Sequence, residues 1–461
     1  MVDTVTKPSR GIADWVLVVW MGRSKGRWHA TLLGCVMVVG AGWWERADAI
    51  PAFARIYGKP CHACHTVYPQ LNAAGEAWRA HGLHGMRPVV EPIAAGPYFA
   101  VPGTLPLALQ FAFGEDVTHT RPPSAEESTV THFNFEFLSL LAGGELGPYL
   151  SFLADYAPVI TNPQTGEITH PTRPGIAFAQ AHAEPWGWLG NLRLGLFELP
   201  LGESPRVHRL SVRPYLIYGI TAFGLLGQSP PVTDRRTDSL VLSSAQIGGE
   251  ASMLDPDSGL QGAVGVVTGS NNRIDNNDSA DVFVRVGQEL STHRAGLLLY
   301  YGPDNLSTAS EHVLRLGPDL TLYSRRARLA AQFLAGWDSN PTARQVDLWY
   351  YGGFVQGDYR LTTALIALLR LDYVGMPDFD DQSAGGSKHI RRRIWEITGG
   401  AQYLIQENLK VVAEVTYSEN HEAVSDATAT GLTATLRIAT AFWPLTPPLV
   451  TTPWTPQTPP R

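Results

Sequence analysis

The sequence predicts an all-β protein, an antiparallel transmembrane β-barrel of about sixteen strands, preceded by a short N-terminal α-helical segment. Three observations predict it. From Leu105 onward, segments of about ten residues alternate apolar and polar side chains with period two, which is a strand signal. The links between these segments alternate between short turns and long polar loops, as in outer-membrane barrels. Aromatic residues gather at strand ends, as in Tyr300-Tyr301, Trp349-Tyr350-Tyr351 and Phe442-Trp443, which suits a membrane interface.

The predicted strands are 105–113, 131–142, 147–157, 175–184, 190–198, 242–254, 259–269, 279–289, 293–302, 311–322, 327–337, 347–358, 361–375, 394–404, 408–418 and 431–443. Leu105, Leu107, Leu109, Phe111 and Phe113 share one face of the first. Leu409, Val411, Ala413, Val415 and Tyr417 oppose Lys410, Glu414 and Thr416. In the last strand, Leu432, Leu436, Ile438 and Phe442 oppose Thr433, Thr435 and Arg437. The polar faces, with Arg315, Asp319, Arg328, Gln332, Arg370 and Asp372 among them, predict a charged lumen. An even count places both ends of the barrel on the periplasmic side. A soluble sandwich or propeller is the competing architecture. The strand lengths and the near absence of charge on the apolar faces oppose it.

The longest link, Leu199 to Val241, contains an apolar stretch from Val212 to Leu226 that a solvated loop would not carry. Two readings stay open. It folds into the lumen as a constriction, as the corresponding loop does in general porins, or it adds a hairpin.

Composition narrows the partners. Charged residues are 17% of 461, below the usual quarter or so, and the net charge of −7 is spread along the chain. Nothing points to nucleic acid. At the N-terminus, basic residues 22–28 precede an apolar run from Thr31 to Trp44 and the small-residue site Ala47-Asp48-Ala49. This is the three-part pattern of a secretory signal cleaved after Ala49, with Met21 an alternative start. Cys35 falls within that signal, so the exported chain keeps two of its three cysteines.

Those two lie in Cys61-His62-Ala63-Cys64-His65, the C-x-x-C-H attachment pattern for one covalent haem c. The thiols add to the haem vinyl groups, and His65 supplies a ring nitrogen to the iron as proximal ligand. A zinc site is the competing reading, but zinc takes four ligands and no second cysteine pair exists. Asn72 caps a predicted helix from Ala73 to His81. His81, His84 and Met86 follow as candidate distal iron ligands, with Met86 and His84 leading. A unit of about 40 residues cannot bury both faces of a haem, so it needs another surface. Lumen arginines that pair with haem propionates would help supply it.

Pro51-Ala52-Phe53-Ala54-Arg55, Gly58, Cys61 to Thr66, Tyr68-Pro69-Gln70-Leu71, Gly75 and Gly82 resemble the start of the fused monohaem cytochrome c–porin family. That family includes outer-membrane iron(II) oxidases. Leu71-Asn72-Ala73-Ala74-Gly75-Glu76 resembles the broader family more than the iron-oxidase form. The resemblance implies an outer-membrane location, an extracellular electron donor with Fe(II) leading, and a periplasmic carrier such as a soluble cytochrome. His119, His132, Glu115 and Asp116, near the first long loop, are the candidate ferrous ligands. A transport porin with the cytochrome as plug or redox gate, and a soluble periplasmic protein with a β domain, are the alternative readings.

The chain thus divides into an N-terminal extension and signal at 1–49, a monohaem cytochrome c segment at 50–100, a barrel at 101–443 and a Pro/Thr-rich tail at 444–461.

Overall fold

Strand alternation closes into a barrel. The computed structural model describes residues 52–442, apart from 124, 162–167, 170–173, 209, 227–239, 272–278, 291–292, 307–308, 340–346, 382–387 and 422–427. The predicted signal, its cleavage site, Cys35, Trp443 and the tail lie outside the described residues.

Sixteen long strands run in order: β1 Leu107–Arg121, β2 Ser128–Glu145, β3 Leu150–Thr161, β4 Ile176–Ala183, β5 Leu189–Phe197, β6 Gln246–Leu254, β7 Leu260–Val267 and β8 Asp281–Leu290. They continue as β9 His293–Leu306, β10 Ala309–Tyr323, β11 Ala327–Asp338, β12 Leu348–Arg360, β13 Leu365–Asp381, β14 Lys388–Gln406, β15 Leu409–His421 and β16 Thr428–Phe442. Each pairs antiparallel with its neighbours, and β16 closes on β1, with Phe442 opposite Leu109 and Thr430 opposite Arg121. A two-residue strand, Ile168–Thr169, adds to the end of β3. All sixteen predicted strands are present, and closure leaves the barrel's sheet without an open edge, which a bilayer requires.

Several strands outrun their predicted bounds. β1 reaches Arg121 and β14 begins at Lys388. Apolar alternation ends where the outer face leaves lipid, but the backbone ladder continues beyond it. The alternation therefore marks the membrane band rather than the strand.

The distribution of side chains is the reverse of a soluble protein's. Val282, Val284, Val286, Leu297, Leu299, Leu369 and Leu371 point outward and are exposed, whereas Arg285, Arg315, Asp319, Arg328, Arg370, Asp372, Glu414 and Arg437 point inward and are buried. Two aromatic belts bound the outer apolar band. Trp349, Tyr351 and Trp395 lie toward the long loops, and Tyr359 and Tyr403 toward the short turns. On β12, Tyr351 and Tyr359 stand roughly 27 Å apart along the strand at about 3.4 Å per residue. Strand tilt brings that near the ~25 Å height of a barrel's apolar belt. Tyr300 and Tyr350, grouped with the belt by sequence, turn inward instead and join the lumen core.

The described residues of the link between β5 and β6 fold into the lumen, as the constriction reading expects, and form no extra hairpin among themselves. Its short helices, Leu216–Gly219 and Ala222–Leu226, pack with Tyr215 and Leu240 against Leu298, Tyr300, Leu334, Tyr350 and Phe354 on the inner wall. Tyr215 stacks on Phe354 at 4.1 Å, with the Arg370 guanidinium 4.9 Å over its ring. The loop is tied to both sides of the barrel. Arg206 pairs with Asp155 of β3 at 3.0 Å, and Arg213 with Glu396 of β14 at 2.7 Å. The Val212 amide donates to Glu414 of β15 at 3.0 Å.

Glu203 is a further anchor of this loop. It is fully buried, pairs with Arg328, lies 3.6 Å from Arg294 and accepts from Thr321 at 2.8 Å. Removing one partner of such a buried set costs roughly 3–5 kcal/mol. Glu203→Leu is therefore expected to lower markedly the temperature at which the barrel loses its compact migration on a heat-modifiability gel. An unchanged midpoint would show that the loop is held by its apolar contacts alone.

Candidate functional site

The N-terminal segment docks inside the short-turn end of the barrel, and the described residues form one compact unit. Helix α1, Ala52–Tyr57, packs against β2, and helix α2, Ala73–Ala80, carries Trp78. The Phe53 and Tyr57 rings meet Trp78 edge-on at 4.9 and 5.5 Å. Gly143 on β2 lets Phe53 approach, because a Cβ there would sit 2.6 Å from the Phe53 ring. Arg55 donates to the Leu105 and Leu107 carbonyls at 2.7 and 2.6 Å.

Between these helices lies the C-x-x-C-H segment. Cys61–Ala63 forms a single 3-10 turn. Asn72 caps α2 as predicted, accepting from the Ala74 and Gly75 amides at 3.0 Å. Its side-chain NH2 donates back to the His62 and Ala63 carbonyls at 3.0 and 3.2 Å, so the cap also fixes the attachment turn. Gly75 is needed here, since a Cβ would fall 2.2 Å from the Cys64 carbonyl oxygen.

His65 donates from Nδ1 to the Pro69 carbonyl at 3.1 Å. That fixes the tautomer and leaves Nε2 without this proton, able to ligate a metal, the usual arrangement behind a metal-bound imidazole. Burial pushes its imidazole below the usual value, although the Pro69 and Gln70 carbonyls oppose this, which favours the neutral ring. Burial, aided by Glu407, raises the Cys61 thiol to about 11, and burial also raises Cys64. Neither thiol is activated as a redox or nucleophilic cysteine would be.

A cavity of ≈ 890 Å³ opens beside these residues, at the upper end of the ~300–1,000 Å³ range for ligand pockets. Three parts of the chain line it. The segment contributes Cys61, Cys64, His65, Trp78, Leu83 and Met86. The wall contributes Gln110, Ala112, Leu141, Phe178, Val412 and Ala439. The in-folded loop contributes Arg206, Val207, Leu210 and Val212. Trp78 Nε1 is buried there with no hydrogen-bond partner among the described residues, leaving a donor for a bound group. Cys61, Cys64 and His65 form no set that converges on one ion, and among the described residues there is no such cluster. The cavity's size and its unpaired Trp78 donor are compatible with a covalently held haem.

The candidate distal ligands separate. Met86 lines the cavity. His84 turns away, with Nδ1 3.4 Å from the Glu145 carboxylate and its ring stacked 5.2 Å from His182. The bond to Glu145 raises the His84 pKa against the opposing effect of burial. His81 is exposed at the end of α2. His62 also points outward, with Nδ1 2.7 Å from Glu407 in a short turn.

The lumen arginines are mostly committed elsewhere. Arg315 pairs with Asp338, Arg328 with Glu203 and Asp358, and Arg370 with Asp372. Of the predicted set only Arg437 and Lys410 reach the cavity, and Arg437 also bonds Asp116 at 2.5 Å. Arg79, Arg193 and Arg206 line it as well and were not foreseen. The in-folded loop was the larger omission, since only the wall was expected to complete the pocket. Its docking rests on Glu76, which bonds His208 and lies 3.5 Å from Arg294. Burial opposes the charge on Glu76, but His208 and Arg294 hold its carboxyl well below the usual range.

The four candidate ferrous ligands divide between the two faces of the wall. Asp116 faces the lumen, accepts from Thr435 at 2.8 Å and has His132 directly opposite it on β2, whereas alternation turns Glu115 and His119 to the other face. His119 bonds Thr129 at 2.8 Å.

No family model matches the chain, and no curated relative matches it. The fold is similar to that of an anion-selective porin from Comamonas acidovorans, with a TM-score of 0.51 at 11% identity over 72% of this chain and 99% of that one. Weaker likenesses include the outer-membrane channel DcaP of Acinetobacter baumannii (TM-score 0.46, 10% identity, 73% and 97% covered). Pseudomonas putida OprB gives 0.46 at 10% identity, with 73% and 94% covered. The barrel thus shares the fold of the Comamonas acidovorans porin.

Proposed function

We propose that this chain is an outer-membrane electron conduit, a porin-type barrel whose lumen holds one covalent haem c at the periplasmic end. The observation that carries this reading is the C-x-x-C-H turn opening onto a cavity closed jointly by segment, wall and in-folded loop. Haem c supplies a one-electron iron couple when bound. Cys61 and Cys64 would hold it through thioether bonds, and His65 Nε2 would ligate it from one side. Met86, which lines the cavity, would offer its sulfur as a second ligand in preference to His84, which turns away. Trp78 Nε1, Arg79 and Arg206 would receive the propionates. The surrounding protein would keep the cofactor out of bulk water and leave the His62–Glu407 pair on the periplasmic side, where a soluble cytochrome would take the electron.

Fe(II) is the leading extracellular donor, on the resemblance of the N-terminal segment alone. Anaerobic addition of Fe(II) to the purified oxidised protein is expected to produce the reduced haem spectrum. No reduction at any pH tested would remove iron as donor. The porin-type fold favours a second reading, solute transport with the segment as plug or redox gate. Planar-bilayer recording separates the two. A conduit with segment and loop in its lumen should conduct poorly in both oxidation states, whereas a gate should open in one.

A further inference from the structure

Three neighbouring short turns form one row at the end of the barrel where the segment docks. The Arg360 amide donates to the Arg326 carbonyl at 2.8 Å, which joins the β10–β11 turn to the start of the β12–β13 turn. The Leu404 amide donates to the Ala364 carbonyl at 2.8 Å, which joins that turn to the β14–β15 turn. There Glu407 accepts from the Cys61 amide at 2.9 Å, so the row runs on into the C-x-x-C-H turn. Arg325, Arg326 and Arg360 are exposed, and none of their guanidiniums has a partner among the described residues. Arg360 stands opposite Ile366, whose side chain packs with Val67 of the segment. Directly opposite residues share a face, so Arg360 belongs to the lumen rim and not to the lipid face. Arg326 lies two residues before the inward-facing Arg328 and shares its face.

The carboxylates nearby do not balance these charges. Glu407 is held by His62 at 2.7 Å and by the Cys61 amide, and Asp358 is buried against Arg328 at 3.1 Å. Glu289, exposed on the β8–β9 turn at the far end of the row, is one charge against three. Like charges set opposite one another, as Arg326 and Arg360 are, weaken a strand pair, and an anionic surface would relieve that repulsion. We propose that the three arginines form the docking patch for an acidic face of a soluble periplasmic electron carrier. The patch leads to the attachment turn, so a carrier held there stands beside the candidate haem pocket; to this extent it rests on the electron-conduit reading. Unpaired rim charges steer the encounter, and the planar guanidinium fork suits a surface of carboxylates. The lumen-side position of Arg326 and Arg360 favours a protein in the periplasm over a lipid phosphate in the bilayer.

The test immobilises the detergent-purified full chain and passes an acidic and a basic soluble cytochrome c over it, reading association by surface plasmon resonance at rising salt. The wild type is expected to bind the acidic cytochrome about tenfold faster than the basic one at low salt, with the difference shrinking as salt screens it. R325Q/R326Q/R360Q should lose the difference. R121Q/R393Q, which removes two exposed arginines at the long-loop end, should keep it. Heat-modifiable migration checks that each barrel is folded, and R360Q alone serves should the triple variant fail to fold. Wild type and patch variant should retain phosphatidylglycerol equally in native mass spectrometry. Retained preference in a folded patch variant, equal loss in R121Q/R393Q, or lipid loss confined to the patch variant would overturn the assignment. The haem-free C61A/C64A variant should still prefer the acidic cytochrome. A wild type that discriminates but carries no covalent haem defeats the conduit and leaves the patch, whereas a haem-bearing wild type that does not discriminate defeats the patch alone.

Discussion

Replacing Cys61 and Cys64 together with alanine is expected to abolish covalent haem while leaving a folded barrel in the outer membrane. The reason is the division of labour in the structure. The sixteen strands close through their own hydrogen-bond ladder, and the lumen charges pair with one another. Neither set depends on the attachment turn. The Cys61 amide bond to Glu407 at 2.9 Å and the Asn72 bonds hold that turn through backbone and cap, not through the thiols. Haem staining of denaturing gels should therefore fall to background, with heat-modifiable migration retained. His65→Ala should keep the stain but lose the low-spin spectrum, because the thioethers remain and the ligand does not. A normal spectrum in His65→Ala would refute its axial role.

Met86→His is expected to lower the reduction potential by roughly 0.1 V or more, a fraction of the ~0.8 V range that axial ligation spans. Thioether sulfur favours ferrous iron relative to imidazole. His84→Gln, by contrast, should leave the potential nearly unchanged, since that ring faces Glu145 and His182 outside the cavity. A redox titration of both variants decides the matter. A large shift in His84→Gln with none in Met86→His would reverse the assignment.

The strands were legible because a two-sided barrel wall writes its environment into every second residue. Lys410, Val412 and Glu414 face in while Val411, Ala413 and Val415 face out, and no distant contact is needed to see it. Strand ends were less legible, since β1 and β14 continue into water where alternation stops. The aromatic pairs misled in part. In Tyr300-Tyr301 one ring joins the belt and the other bonds Asp281 in the lumen. At the candidate site, the Asn72 cap is a local hydrogen-bond pattern and was readable. Glu76, which anchors the segment to His208 and Arg294, was visible only as an acidic residue in the first turns of a helix, because both partners lie more than a hundred residues away.

Sequence alone determined the strand count, the two faces of the wall and the C-x-x-C-H pattern, since each follows from chemistry confined to a few neighbouring residues. Tertiary structure alone decided that the 199–241 link enters the lumen and completes the cavity, that Met86 shares this cavity with His65 while His84 turns to Glu145, and that most lumen arginines are already paired. These depend on which side chains meet across the barrel, and closure of the sheet, not any local pattern, sets those meetings.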